Sequence, residues 1–199
     1  MAPAPDDAGP TLLRLARDAI EEALGVTPGE AARGDLTTDD GAPWLDEPGA
    51  AFVTLSQAGH LRGCIGSLTA RRPLREDVRE NAVASAVADP RFLPLKPGEL
   101  PITDIAVSVL SAPEPFPVAS EADAVARLRP GVDGLVVEYG PLRATFLPQV
   151  WEQLPDPAEF LGHLKRKAGL PRDFWHCDIR LARYTVETWS EASDGARDG

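Results

Sequence analysis

The sequence predicts an α+β fold, a mainly antiparallel sheet flanked by helices. Helical and strand patterns are mixed along the chain instead of alternating as βαβ units. Two pairs of strand-like runs are joined by short glycine-containing links, Ala58-Gly59 and Gly140-Pro141, which read as hairpins. No G-x-G-x-x-G, phosphate-binding loop or H-E-x-x-H occurs, so the common cofactor signatures are missing.

The elements follow in order. Leu12, Leu15, Ala16, Ala19, Ile20, Ala23 and Leu24 recur at the helical period and predict a first helix over residues 11–26. Pro28-Gly29 stops it, and residues 30–49 read as a long loop with Trp44 pinned down. Residues 51–57 and 61–67 form the first hairpin. Residues 73–88 predict a helix whose one face, Leu74, Val78, Asn81, Ala82, Ser85 and Ala86, is unusually small and suits close packing on a sheet. Asp89-Pro90 ends it, because a residue before proline leaves the α region. Residues 102–110 read as a buried strand. Ser120 to Asp123 carries a capping-box pattern for a short helix. Residues 134–139 and 142–147 form the second hairpin. Asp156, Pro157 and Glu159 open a helix that runs to about Ala168, where Gly169 stops it. Residues 178–189 read as one long final strand.

The organisation is a single domain over residues 11–189, with flexible tails at 1–10 and 190–199. Apolar residues make up 43% of the 199, enough for a sizeable core. The net charge of −11 repels phosphate backbones, so nucleic acid is a poor partner. No apolar run reaches the ~18 residues that a membrane span needs. Cys64 and Cys177 lie far apart and show no metal-ligand or disulfide spacing. The cytoplasm is therefore the expected compartment, and no metal set or cofactor is read from the residues.

Cys64 is the leading candidate for chemistry. Alternation along a strand would put His60, Arg62 and Cys64 on one face and Leu61 and Ile65 on the other. Gly63 and Gly66 leave the backbone beside the thiol open to close approach. Arg62 is two residues away, and a guanidinium near a thiol favours the thiolate. The same cysteine also fits a small buried hydrophobe. Arg91 in Asp89-Pro90-Arg91-Phe92 can hold an anionic group that Asp89 orients, or the pair can tie a helix end to the next loop while Phe92 enters the core. Asn81 is either a buried polar group with partners or a residue aimed at the hairpin. Gln149 is the plausible contact group of residues 146–151. Lys165, Arg166 and Lys167 complement a helix C-terminus.

The run Gly59-His60-Leu61-Arg62-Gly63-Cys64-Ile65-Gly66 resembles the signature of the AMMECR domain family, in particular the bacterial and archaeal AmmeMemoRadiSam system protein A type. The resemblance continues, in family order, through Leu13 to Arg17, Phe52 to Leu55, Asp89 to Phe92, Val107 to Leu110, Phe146 to Val150 and Lys167 to Leu170, covering about residues 11–189. Val87 departs from it, standing where an aromatic is usual. The resemblance implies an α+β fold with a larger and a smaller lobe, the signature near a cleft, and genetic association with a Memo-type protein and a radical-SAM enzyme. It carries weight at Arg62, Gly63, Cys64, Gly66, Asp89, Arg91, Pro148 and Gln149.

Two functions are therefore expected. One is an enzyme or enzyme component in which Cys64, supported by Arg62, is the catalytic thiol, with Gly63, Gly66, Asp89, Arg91 and Gln149 around the substrate. The other is a non-catalytic adaptor whose signature hairpin and Asp89 to Phe92 loop form a surface for a partner such as a Memo-type or radical-SAM protein.

Overall fold

In the computed structural model, residues 8–26 and 42–191 are described. The elements in chain order are α1 (Ala8–Leu24), β1 (Pro48–Gly49), β2 (Ala51–Gln57), β3 (His60–Gly66), β4 (Arg72–Pro73), α2 (Leu74–Val87), β5 (Asp104–Leu110), β6 (Glu114–Pro115), α3 (Glu121–Arg127), β7 (Gly134–Tyr139), β8 (Leu142–Phe146), α4 (Pro157–Lys167), β9 (Arg180–Tyr184) and β10 (Val186–Ser190). The chain divides into two compact units, residues 1–110 with 187–199 and residues 111–186. These match the expected larger and smaller lobes.

The first unit is built on a four-stranded sheet in the order β10-β5-β2-β3, with β2 antiparallel to both β3 and β5. Along β2, Ala51, Val53 and Leu55 are buried and the residues between them are not. This is the period-2 pattern of a strand with one covered face. The cover comes from α1 and α2, whose apolar faces (Leu12, Ala16 and Ile20; Leu74, Val78 and Ala82) share a core with the strands. Full burial of a leucine or isoleucine side chain contributes about 1.5–3 kcal/mol. Helix α1 starts at Ala8, three residues before the expected start, because Ala8 and Gly9 are themselves buried. Trp44 packs against this core as expected; residues 30–41 of the expected loop lie outside the described residues, as do residues 1–7 and 192–199.

The first hairpin turns at Ala58 (φ 49°) and Gly59 (φ 78°), two positive-φ residues in succession. That is the two-residue turn whose twist matches paired strands. Its pairing slips by one residue: Leu55 faces Gly63, but Ser56 faces Leu61. Arg62 is left over as a bulge, so the strict alternation expected over residues 60–66 breaks there.

The second unit has the sheet order β6-β9-β7-β8, with antiparallel pairs throughout. Its core holds Leu135, Val137, Trp151, Phe160, Leu161 and Leu164. Trp151 stacks on Phe160 at 3.8 Å between ring centroids, and its indole N–H donates to the Asp133 carbonyl at 2.7 Å. The expected helix caps are present: Ser120 accepts from the Asp123 amide, and Asp156 accepts from the Glu159 amide. Lys165 differs from expectation. It does not serve a helix terminus at the surface but is wholly buried, with Nζ donating to Glu121 at 2.6 Å and to the Phe174 carbonyl at 3.1 Å.

The long final strand expected over residues 178–189 is two strands. It breaks at Thr185; β9 joins the second unit's sheet and β10 the first unit's. Each half keeps a strand composition, and the break is a change of partner that composition does not encode. Among the described residues no helix is long and apolar enough to cross a membrane.

Candidate functional site

The site is assembled in the first unit at the free edge of β3. Cys64 pairs with Thr54, whose hydroxyl lies 3.3 Å from the cysteine sulfur. The backbone N–H and C=O of Cys64 point away from β2, where an edge strand leaves such groups without a ladder partner. Asp89 and Arg91 supply partners. The Cys64 amide donates to Asp89 Oδ2 at 2.8 Å, and Arg91 Nη2 donates to the Cys64 carbonyl at 2.9 Å. The turn after α2 thus substitutes for a missing strand.

That turn is fixed from within. Asp89 accepts from the Arg91 amide at 3.1 Å and from Arg91 Nε and Nη2 at 2.9 and 2.6 Å. Asp89 is only 4% exposed, whereas the Arg91 side chain is 53% exposed. The Arg91 guanidinium holds the Asp89 carboxyl well below the usual carboxylate range, outweighing the opposing effect of burial; the Cys64 and Arg91 amides add to it. In return Asp89 raises the Arg91 pKa, and the Cys64 thiol lies close enough to contribute in the same direction. The result is a buried carboxylate, an open guanidinium and a half-buried thiol in one hydrogen-bonded group. Phe92 does not enter the core as expected. It is half-buried with the Arg91 guanidinium 5.6 Å over its ring, and Leu95 takes the core position.

The small face of α2 places the helix directly under this edge. Ser85 Oγ accepts from the Ile65 amide at 2.9 Å and donates to the Val53 carbonyl at 2.8 Å, bridging both arms of the hairpin. A Cβ on Gly63 would lie 2.2 Å from the Ser85 carbonyl oxygen. The close approach expected at Gly63 is therefore made by α2 itself. A Cβ on Gly66 would meet the Phe52 ring at 2.2 Å.

Arg62 and Cys64 are not brought together by alternation. From its bulge, Arg62 directs its guanidinium to Glu99 (3.2 Å) and to the Leu93 carbonyl (2.9 Å). The guanidinium tied to Cys64 is that of Arg91. Gln149 lies on a single-turn helix, Pro148–Glu152, in the second unit, where it is exposed. Asn81 is buried and satisfied, with Nδ2 donating to the Ala51 carbonyl (3.1 Å) and to Asp77 (3.0 Å).

Sequence reasoning missed three residues. Asp77 is buried and accepts from the Ala51 amide at 2.8 Å, Ser67 at 2.7 Å and Arg72 at 3.0 Å, locking α2 to the end of the hairpin. Its place four residues before Asn81 on the small face was the available signal. Thr54 could have been found by setting the hairpin arms in register. Glu99 had no local signal, because its partner is 37 residues away. A surface recess of the first unit is lined by Ala19, Ala23, Val83 and Val87 on α1 and α2, not by Cys64.

Residues 13–189 match the AMMECR1 domain family. The chain belongs to the AMMECR1 family. Two archaeal relatives align over nearly their whole length. A Methanothermobacter thermautotrophicus protein is 42% identical, covering 96% of this chain and 97% of the relative. A Thermofilum pendens protein is 38% identical, covering 93% and 90%. The crystal structure of uncharacterized protein PH0010 from Pyrococcus horikoshii superposes with a TM-score of 0.71 at 37% identity, covering 94% of this chain and 93% of that one. The α+β architecture described here is thus shared with a solved relative of this AMMECR1-family chain.

Proposed function

We propose that the β3 edge is the working face of a cytoplasmic enzyme or enzyme component, with Cys64 as its thiol nucleophile or redox-active thiol. In this reading Arg91 is the residue that binds an anionic group of the substrate. Asp89 positions Arg91, and Gly63 and Gly66 let the strand settle against α2 and Phe52. Arg62 organises the neighbouring segment through Glu99. A Memo-type protein and a radical-SAM enzyme are the proposed partners in the cell.

One observation carries the reading. Arg91 is locked by a buried carboxylate, hydrogen-bonded to the Cys64 backbone, and still half exposed beside the thiol. A guanidinium fixed near a thiol favours the thiolate, the form that attacks an electrophile. The test is alkylation by iodoacetamide in a Cys177→Ser background, since Cys177 is also free and exposed. Cys64 should react at neutral pH faster than a free cysteine, and Arg91→Met should slow it roughly tenfold. A native protein whose Cys64 resists the reagent abolishes the proposal.

A second reading, the adaptor, is favoured by apolar exposure around the same edge. Leu93 is 82% exposed, Ile102 66% and Leu61 46%. All three lie in segments joined by Arg62 and Glu99. An adaptor should keep its partner and its cellular phenotype with Cys64→Ser; a thiol enzyme should lose the phenotype.

A further inference from the structure

Outside the β3 edge, one cluster of metal-ligating side chains lies in the second unit. His176, Cys177 and Asp178 precede β9 in a turn closed by a hydrogen bond from the Ile179 amide to the His176 carbonyl (3.1 Å). The turn brings three different donor atoms together. His176 Nδ1 is 3.7 Å from the Cys177 sulfur and 3.4 Å from Asp178 Oδ2, and the sulfur is 4.0 Å from Asp178 Oδ1. With one atom from each residue, all three lie within 4.8 Å of one another.

These spacings resemble one face of a coordination tetrahedron. Zinc bonds of about 2.0–2.3 Å to nitrogen, oxygen and sulfur place neighbouring ligands roughly 3.3–3.6 Å apart. With one atom from each residue no separation exceeds 4.8 Å, so the three exposed side chains share an ion after closing by at most about 1.2 Å. The imidazole is backed by aromatic rings: Tyr139 meets His176 edge-on at 5.5 Å, and Phe174 meets Tyr139 at 4.9 Å. Among the described residues, Asp178 has no lysine or arginine partner; its ion-pair partner is His176 itself.

We propose that the His176–Cys177–Asp178 turn is a surface binding site for one borderline-soft divalent ion of the zinc class. The thiolate and imidazole disfavour magnesium and calcium, which take oxygen ligands. Binding through Nδ1 fixes the Nε2–H tautomer of His176. The ion takes the lone pair that Nδ1 now offers to the Asp178 amide at 3.2 Å, and the thiol gives its proton to water. Three protein ligands leave the fourth position to water, the pattern of an open site.

The experiment is a Co²⁺ titration of the full chain, followed by absorbance, with Zn²⁺ as competitor. The expected result is a thiolate-to-cobalt charge-transfer band that saturates at one ion per chain and is removed by Zn²⁺. Cys177→Ser should abolish the band, Cys64→Ser should leave it intact, and His176→Ala and Asp178→Asn should each weaken binding at least tenfold. All three turn residues are exposed, so thermal unfolding of the variants should match the parent and report intact folds. A missing band, a band that follows Cys64 instead of Cys177, or saturation at one ion per two chains overturns the proposal.

Discussion

Asp89 accepts the amide proton of Cys64 at 2.8 Å, a contact between a buried carboxylate and a backbone group on the free edge of a sheet. It makes the turn after α2 part of the hairpin's hydrogen bonding, and it sets how the fold responds to acid. The folded Asp89 carboxyl has a depressed pKa, chiefly from Arg91. Its unfolded value is near the usual ~3.9. The stabilisation is then complete above the unfolded value and is lost as pH falls toward the folded one. Asp89→Asn should lower the urea midpoint by a constant amount from pH 7 to pH 5, and the gap should narrow steadily below about pH 4. Parallel curves down to pH 3 would contradict the assignment.

Arg62 and Arg91 should separate cleanly. Arg62→Ala removes the pair with Glu99, so it should reduce stability while leaving Cys64 alkylation within about twofold of the parent. Arg91→Met should do the reverse at the thiol. Stopped-time alkylation with mass detection, alongside urea melts, reads both effects.

Gly63→Ala should destabilise by about 1–3 kcal/mol through overpacking. The opposing atom is a helix backbone oxygen 2.2 Å from the new methyl, which cannot rotate away. Equilibrium unfolding measures it, and a neutral outcome would mean that α2 can retreat from the strand.

Ala58→Asn should stabilise. Ala58 sits at φ 49°, in the left-handed region, where an ordinary residue pays roughly 1–2 kcal/mol and asparagine less. A gain of about 0.5–1 kcal/mol in urea unfolding is expected.

The Lys165–Glu121 pair should respond asymmetrically. Glu121→Ala leaves a wholly buried ammonium with the Phe174 carbonyl, and should cost about 3 kcal/mol or more. Lys165→Met fills the space without charge and frees a carboxylate that is 34% exposed, so it should cost less than about 1.5 kcal/mol. Thermal melts of the two variants compare them directly.

The local elements were legible because local rules made them. The hairpin at Ala58-Gly59, the cap at Asp156 and the small face of α2 each have their cause within a few residues. The bulge at Arg62 was not legible, because one extra residue in a strand shifts every later side chain without altering composition. The same limit applies to the site. Cys64, Asp89 and Arg91 stood out in sequence, but which arginine reaches the cysteine depends on that bulge and on Glu99. Lys165 read as a terminal charge because its partner is 44 residues away. The break at Thr185 was hidden for a similar reason: β9 and β10 both look like strand, and they join different sheets.

That break also has a consequence for synthesis. Strand β10 is the neighbour of β5, yet the chain makes all of residues 111–185 between them. On the ribosome, the first sheet must wait for its fourth strand until the inserted unit has emerged, while that unit can already close around its own core. A released chain truncated at Thr185 should therefore hold a protease-resistant second unit and an N-terminal portion still open to cleavage.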